Sequence, residues 1–160
     1  MNRFVDEDLR RGLLSEYPVV IGTPVAWGDM DYFRHLNNIV FFRFFESARI
    51  AYLERIGFQR ELADSGIGPI LAATDCRFRR PIRYPDVVLV GARTSNVASN
   101  RFTMEYRLVS EAQGAVAAEG GGTLVAYDYR RERKASLPEA IVRAIEDLEQ
   151  RNLVIADEQT

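Results

Sequence analysis

The sequence is poorest in the residues that most often announce chemistry. Its 160 residues hold one cysteine, Cys76, one histidine, His35, and one tryptophan, Trp27. A single cysteine excludes an internal disulfide and suits a reducing compartment. A single histidine without a cysteine cluster leaves only a thin ligand set for a metal. No apolar run approaches the roughly 18 residues of a membrane helix. The opening stretch MNRFVDEDLRRGLLSEYP breaks each short apolar run with charge, so no signal-peptide core is expected. Neither sign of charge dominates: 21 Lys and Arg face 23 Asp and Glu, for a net charge of −2. That balance gives no bulk pull toward nucleic acid or a membrane surface. The G-x-S-x-G step of a hydrolase elbow is missing. So is a phosphate loop, because EGGGTL at 119–124 lacks the lysine. These absences point to a cytoplasmic globular protein that uses other chemistry.

What is present is material for one well-filled core, since 47% of the residues are hydrophobic. Residues 1–16 read as a charged arm with room for one short helix, 17–152 as a single domain, and 153–160 as a tail. YPVVIGTPVAW at 17–27 reads as a strand in which Gly22 and Pro24 imply an edge or a bulge. NNIVFFRFFESARIAYLERIGF follows, with apolar residues at helical spacing and no Gly or Pro before Gly57. Its first half is apolar nearly all round, the mark of a helix buried on most sides. Asn37 or Asn38 suits the N-cap, and Gly57 suits the stop. After a polar turn come four strand-like segments. SN at 99–100 and EAQG at 111–114 connect the last three as hairpins. Gly120 to Gly122 mark a strand passing close to the long helix. SLPEAIVRAIEDLEQRNLV reads as a final helix, with Ser136 and Glu139 in capping-box spacing. The fold class is therefore α+β: a five-stranded antiparallel sheet curled around one long helix, plus a C-terminal helix. Such a sheet has an edge to cover, which makes dimerisation by sheet extension an expectation.

The candidate site is WGDMDYFRHLNN at 27–38, between the first strand and the long helix. Asp29, Asp31 and His35 could be read as metal ligands. They could equally satisfy turn and cap hydrogen bonds, together with Asn37. A third reading is catalytic. The helix N-terminus exposes unpaired N–H groups and partial positive charge, a ready site for a polarised carbonyl oxygen. A carboxylate beside that carbonyl, Asp31, can serve as nucleophile or as base for water. Glu46 lies inside the same helix and reads as an i,i+3 partner of Arg43 or Arg49, or as a second acid reaching the pocket. CRFRRPIRYPD carries Arg77, Arg79, Arg80 and Arg83. On a continuous strand Arg77, Arg79 and Arg83 would share one face, as solvated strand ends or a phosphate cradle. Tyr32, Phe33, Phe41 and Phe42 read as core or as the lining of a pocket. Cys76 reads as a small buried hydrophobe.

These residues resemble a known family. VAWGDMDYFRHLNNIVFFRFFESARIAYL is similar to the opening of the hot-dog-fold acyl-CoA thioesterases of the 4-hydroxybenzoyl-CoA thioesterase type. CRFRRPIRYPDVVLV, GAVAAEGGGTLVAYD and LPEAI are similar to later segments, so the resemblance spans roughly residues 17–145. It implies hydrolysis of an acyl-CoA to a carboxylic acid and free CoA. No cofactor or metal is implied, because CoA is part of the substrate. It implies a homodimer or homotetramer with sites at the subunit interface. The family's catalytic carboxylate falls on Asp31 and its carbonyl-polarising amide on Asn38. His35, Asn37 and Arg34 would shape the substrate pocket, and Arg77, Arg79 and Arg80 would hold the CoA phosphates. Glu46 is the reserve catalytic candidate. One departure stands out: the family has glycine where this chain has Arg34, and a glycine there can take a positive φ. Three alternatives stay open: an acyl-CoA-binding hot-dog protein without activity, a thioesterase acting on acyl carrier protein, and a hot-dog dehydratase using His35.

Overall fold

The computed structural model describes residues 4–157, with side chains through Gln150. The outermost residues of the expected arm and tail, 1–3 and 158–160, lie outside the described residues. The chain order is α1 (Glu7–Leu13), β1 (Val19–Pro24), α2 (Asn38–Arg55), α3 (Phe58–Ser65), β2 (Ile67–Phe78), β3 (Val87–Val97), β4 (Arg101–Ser110), β5 (Ala115–Asp128), β6 (Arg133–Lys134) and α4 (Glu139–Asp157). All strand pairs are antiparallel, in the order β1-β3-β4-β5-β2, with the two-residue β6 added on β5. The five long strands are the ones expected, whereas β6 has no counterpart in the sequence reading.

The sheet packs on α2, the hot-dog arrangement. Val40, Phe41, Phe44, Phe45, Ala48, Tyr52 and Leu53 of α2 are buried in one cluster with residues of β3, β4, β5 and α4. Full burial of a side chain such as Phe45 is worth about 1.5–3 kcal/mol. One of the three glycines of β5, Gly120, makes room for this helix. A Cβ at Gly120 would stand 2.2 Å from the Asp75 carbonyl oxygen and 2.7 Å from the Phe45 ring. A smaller cluster on the other face of the sheet joins Leu14 and Tyr17 to Leu89 and Val109, which docks the N-terminal segment.

Both ends of α2 follow from sequence. The Ile39 N–H donates to the Asn37 side chain at 3.1 Å, and the helix stops before Gly57 at φ +78°. Two expectations fail. The polar turn after α2 is the helix α3, closed by Gly66, another left-handed glycine (φ +80°). The capping box at α4 is displaced: the N–H groups of Ile141 and Val142 donate to the Pro138 carbonyl, so the helix starts too late for Ser136 to be its cap.

Candidate active site

The loop before α2 is a small closed hairpin. Met30 and Leu36 form an antiparallel bridge. Within it the Asp31 N–H donates to the His35 carbonyl at 2.7 Å. One Asp31 carboxylate oxygen accepts from the N–H of Phe33 (2.8 Å) and from that of His35 (3.2 Å). The turn and cap reading therefore holds for the hydrogen bonds of Asp31 and Asn37, but not for the Asp29 carboxylate, which pairs with Arg43. That reading does not compete with the catalytic one, because the second carboxylate oxygen of Asp31 takes no part in the turn.

Three further contacts hold the loop, one within it and two to its surroundings. The Asn37 N–H donates to the Asp29 carbonyl at 3.0 Å, and the Leu36 N–H to the Ile82 carbonyl at 2.7 Å. The Asp29 carboxylate pairs with Arg43, one turn into α2, at 2.8 Å. Arg34 adopts φ +62°, the left-handed conformation that a glycine takes without strain. The arginine bears the strain of that conformation, which amounts to roughly 1–2 kcal/mol.

A cleft of about 250 Å³ opens at this point, lined by Asp31, His35, Leu36, Asn38, Phe41, Phe78, Arg79, Arg80 and Pro81. Its floor is apolar: the Phe41 and Phe78 rings meet edge to face, with centroids 5.1 Å apart. Asn38 is the first residue of α2, and its N–H has no hydrogen-bond partner among the described residues. A half-buried carboxylate, a free helix-terminal N–H and two guanidinium groups thus share one small cleft with an apolar floor. A carbonyl oxygen lodged on the Asn38 N–H would feel the positive end of the α2 dipole. A second, broader cleft of about 880 Å³ lies on the other side of Asp31, lined by Trp27, Gly28, Met30, Phe33, Arg34, Arg83 and Tyr84 as well.

The arginines part company. β2 ends at Phe78, so the expected single face for Arg77, Arg79 and Arg83 does not exist. Arg77 stays on the strand, opposite Glu119, and lines neither cleft. Arg79 and Arg80 both donate their N–H groups to the Ala117 carbonyl, which directs the chain past the cleft. Arg79 also pairs with Glu119 at 3.3 Å, whereas Arg80 has no ion pair among the described residues. The segment is secured at its far end by Asp86, whose carboxylate accepts from the Ser110 hydroxyl and the Ala112 N–H.

Glu46 is exposed and lines neither cleft. It sits eight residues into α2 from Asn38, about 12 Å along the axis. The expected i,i+3 pair is absent, because Arg43 reaches back to Asp29 and Arg49 turns inward to the Tyr106 hydroxyl (3.4 Å). Of the aromatics, Phe41 lines the smaller cleft and Phe33 the larger. Tyr32 is 95% exposed, and Phe42 packs on Phe45. Cys76 is half-buried, and burial, with Asp75 beside it, pushes its thiol up to about 11. No group of three or more His, Cys, Asp or Glu side chains converges as a metal set among the described residues. Sequence reasoning did not connect Arg83 to the loop, although the Arg83 guanidinium lies 3.1 Å from His35 Nε2. The long separation between them in sequence carries no pattern that announces the contact.

An antiparallel sheet curled around one long helix is the architecture of the hot-dog proteins. Residues 25–145 match the family model described as the Thioesterase-like superfamily, and the chain belongs to that family. It is similar to the crystal structure of a thioesterase from Thermus thermophilus complexed with coenzyme A and Zn. The two are 34% identical with a TM-score of 0.74, over 84% of this chain and 96% of that one. Protein THEM6 from Danio rerio is 29% identical over 108 residues, 68% of this chain and 52% of that protein. The uncharacterized protein YsmA from Bacillus subtilis (strain 168) is 27% identical over 82 residues, 51% of this chain and 54% of that protein. The chain thus spans about half the length of these two relatives.

Proposed function

We propose that this protein is an acyl-CoA thioesterase, hydrolysing a thioester to a carboxylic acid and free CoA. The observation that carries the reading is the shared cleft: Asp31, with its carboxylate, and Asn38, with its unpaired N–H, line the same pocket. The likeness to a thioesterase complexed with coenzyme A supports the substrate class.

In this mechanism the thioester carbonyl oxygen sits on the Asn38 N–H, where the α2 dipole stabilises the negative charge that develops on it. The free oxygen of Asp31 either attacks the carbonyl carbon, giving a mixed anhydride that water then opens, or takes a proton from an attacking water. In both routes the C–S bond breaks and the electron pair leaves on the CoA sulfur. The apolar floor of Leu36, Phe41 and Phe78 lowers the polarity around the reacting carbonyl and strengthens these interactions. His35, Asn37 and Arg34 shape the loop around Asp31, and Arg79 and Arg80 hold anionic phosphate groups. Arg77 would serve only a site to which β2 is brought by another copy.

Such a copy is part of the proposal. β2 is an edge strand of twelve residues with no partner on its outer side among the described residues. Ile70, Leu71 and Phe78 are exposed along it, as are Ile39 and Ile50 on α2. A long, bare, partly apolar edge is a template for pairing, so a homodimer joined through β2, or a tetramer of two such dimers, is the expected assembly. No helix among the described residues is long and apolar enough to cross a membrane, and we assign the protein to the cytoplasm.

The test is release of free thiol from aromatic, short-chain and long-chain acyl-CoAs, and from acyl groups on carrier protein. Preference for an aromatic acyl group would narrow the reading to the 4-hydroxybenzoyl-CoA type. Carrier-bound substrates favoured over CoA-bound ones would move it to an acyl-carrier-protein thioesterase. Tight binding of acyl-CoA without turnover would make it a binding protein instead.

A further inference from the structure

We infer that Arg83 is a positioning residue, which fixes the ring tautomer of His35 and so holds the turn that presents Asp31. The step from function to this residue rests on the thioesterase reading; the tautomer itself does not. A guanidinium carries only donors. Its contact with His35 Nε2 at 3.1 Å is therefore a hydrogen bond only when that nitrogen is bare and the ring proton sits on Nδ1. The contact has a defined place. His35 lines the smaller cleft, Arg83 lines the larger one, and Asp31 lines both.

The main chain carries the effect onward. The His35 carbonyl accepts from the Asp31 N–H, and the His35 N–H donates to the Asp31 carboxylate. The next residue back, Arg34, is held at φ +62°, a conformation that a non-glycine residue leaves readily unless its neighbours are tied down. Arg83 ties down one of those neighbours from outside the loop. It stands on the segment anchored by the Leu36 N–H to Ile82 carbonyl bond and by Asp86. In this arrangement His35 acts through its backbone. Its Nε2 is occupied by a cation and is not free to serve as the proton donor that a dehydratase would need.

The chain has one histidine, so the experiment has one signal to read. Long-range ¹H–¹⁵N spectra of the intact protein, uniformly labelled, report which ring nitrogen carries the proton. The native protein should show a protonated Nδ1 and a bare Nε2. Arg83→Lys, whose ammonium also only donates, should keep that pattern. Arg83→Met should shift the ring toward the Nε2–H form that free imidazole favours in water. On the best thioester substrate, Arg83→Met should lower kcat on the order of 10- to 100-fold, the scale of a misplaced catalytic group, with little change in KM. Arg83→Lys should recover most of it. An Nε2–H ring in the native protein overturns the inference, as does an unchanged tautomer in Arg83→Met. A raised KM at constant kcat would overturn the positioning role and make Arg83 a substrate anchor. Should no thioester be turned over, the tautomer spectra still decide whether Arg83 sets the ring.

Discussion

The Asp31 N–H donates to the His35 carbonyl at 2.7 Å, and the His35 N–H returns to the Asp31 carboxylate at 3.2 Å. The same side chain thus closes its own turn with one oxygen and leaves the other for chemistry. Asp31→Asn, oriented with its amide oxygen on the Phe33 and His35 N–H groups, retains both turn bonds. Asp31→Ala loses them, and each is worth about 1 kcal/mol. In urea unfolding, Asp31→Ala should therefore be less stable than Asp31→Asn by roughly 1–2 kcal/mol. Equal stability of the two would mean that the turn does not depend on the carboxylate.

Arg34 offers the converse test. Its φ of +62° is a conformation that glycine takes without strain. Arg34→Gly should stabilise the protein by about 1 kcal/mol, less than the full strain because glycine gains freedom in the unfolded chain. A loss of stability would show that the guanidinium makes compensating contacts in the broader cleft.

A pH dependence comes from the other end of the core. Glu149 of α4 accepts from the Tyr52 hydroxyl and from the Thr94 N–H, each at 2.7 Å. Burial raises its carboxyl above the usual carboxylate range, and these two donors only partly offset that. The folded state then binds the proton more tightly than the unfolded one. The contribution to stability is full below the unfolded value and is lost as pH rises through the folded value. Glu149→Gln keeps an acceptor for both donors and does not titrate. The stability of the native protein relative to Glu149→Gln should therefore fall as pH is raised from the acidic side toward neutrality. A relative gain would refute the sign.

The arginines of the smaller cleft should separate. Arg80 has no ion pair among the described residues, while Arg79 is shared with Glu119. Arg80→Met should raise KM for acyl-CoA more than Arg79→Met does. Neither should alter kcat if they grip only the unreacting phosphates. The Arg80 effect should shrink as salt is raised, because exposed charges are screened. A fall in kcat with unchanged KM would place Arg80 at the reacting centre.

The elements with strong period were legible in the sequence: the buried α2, the four strands after it and both hairpin connections. The loop also brings Asp31, His35 and Asn38, read together from the sequence, to one cleft. α3 was hidden because its eight residues are mostly polar, and its helical state is set by left-handed glycines on either side, Gly57 and Gly66. The arginine stretch misled because it was read as strand beyond Phe78, where the backbone turns off the sheet edge. Glu46 misled because helix spacing offers Arg43 and Arg49 as partners. Tertiary contacts take both of them, one for Asp29 and one for Tyr106. The Arg83 contact with His35 is long-range and follows from no local rule.

The most direct measurement is the turnover of the preferred thioester by Asp31→Asn beside Glu46→Gln, with both variants shown to be folded. The expected result is a loss in kcat of about 10²-fold or more for Asp31→Asn, the scale of a removed general base. Glu46→Gln, altered at an exposed residue outside both clefts, should keep most of its activity. Near-native turnover by Asp31→Asn with an inactive Glu46→Gln would contradict the assignment and move the catalytic carboxylate onto α2.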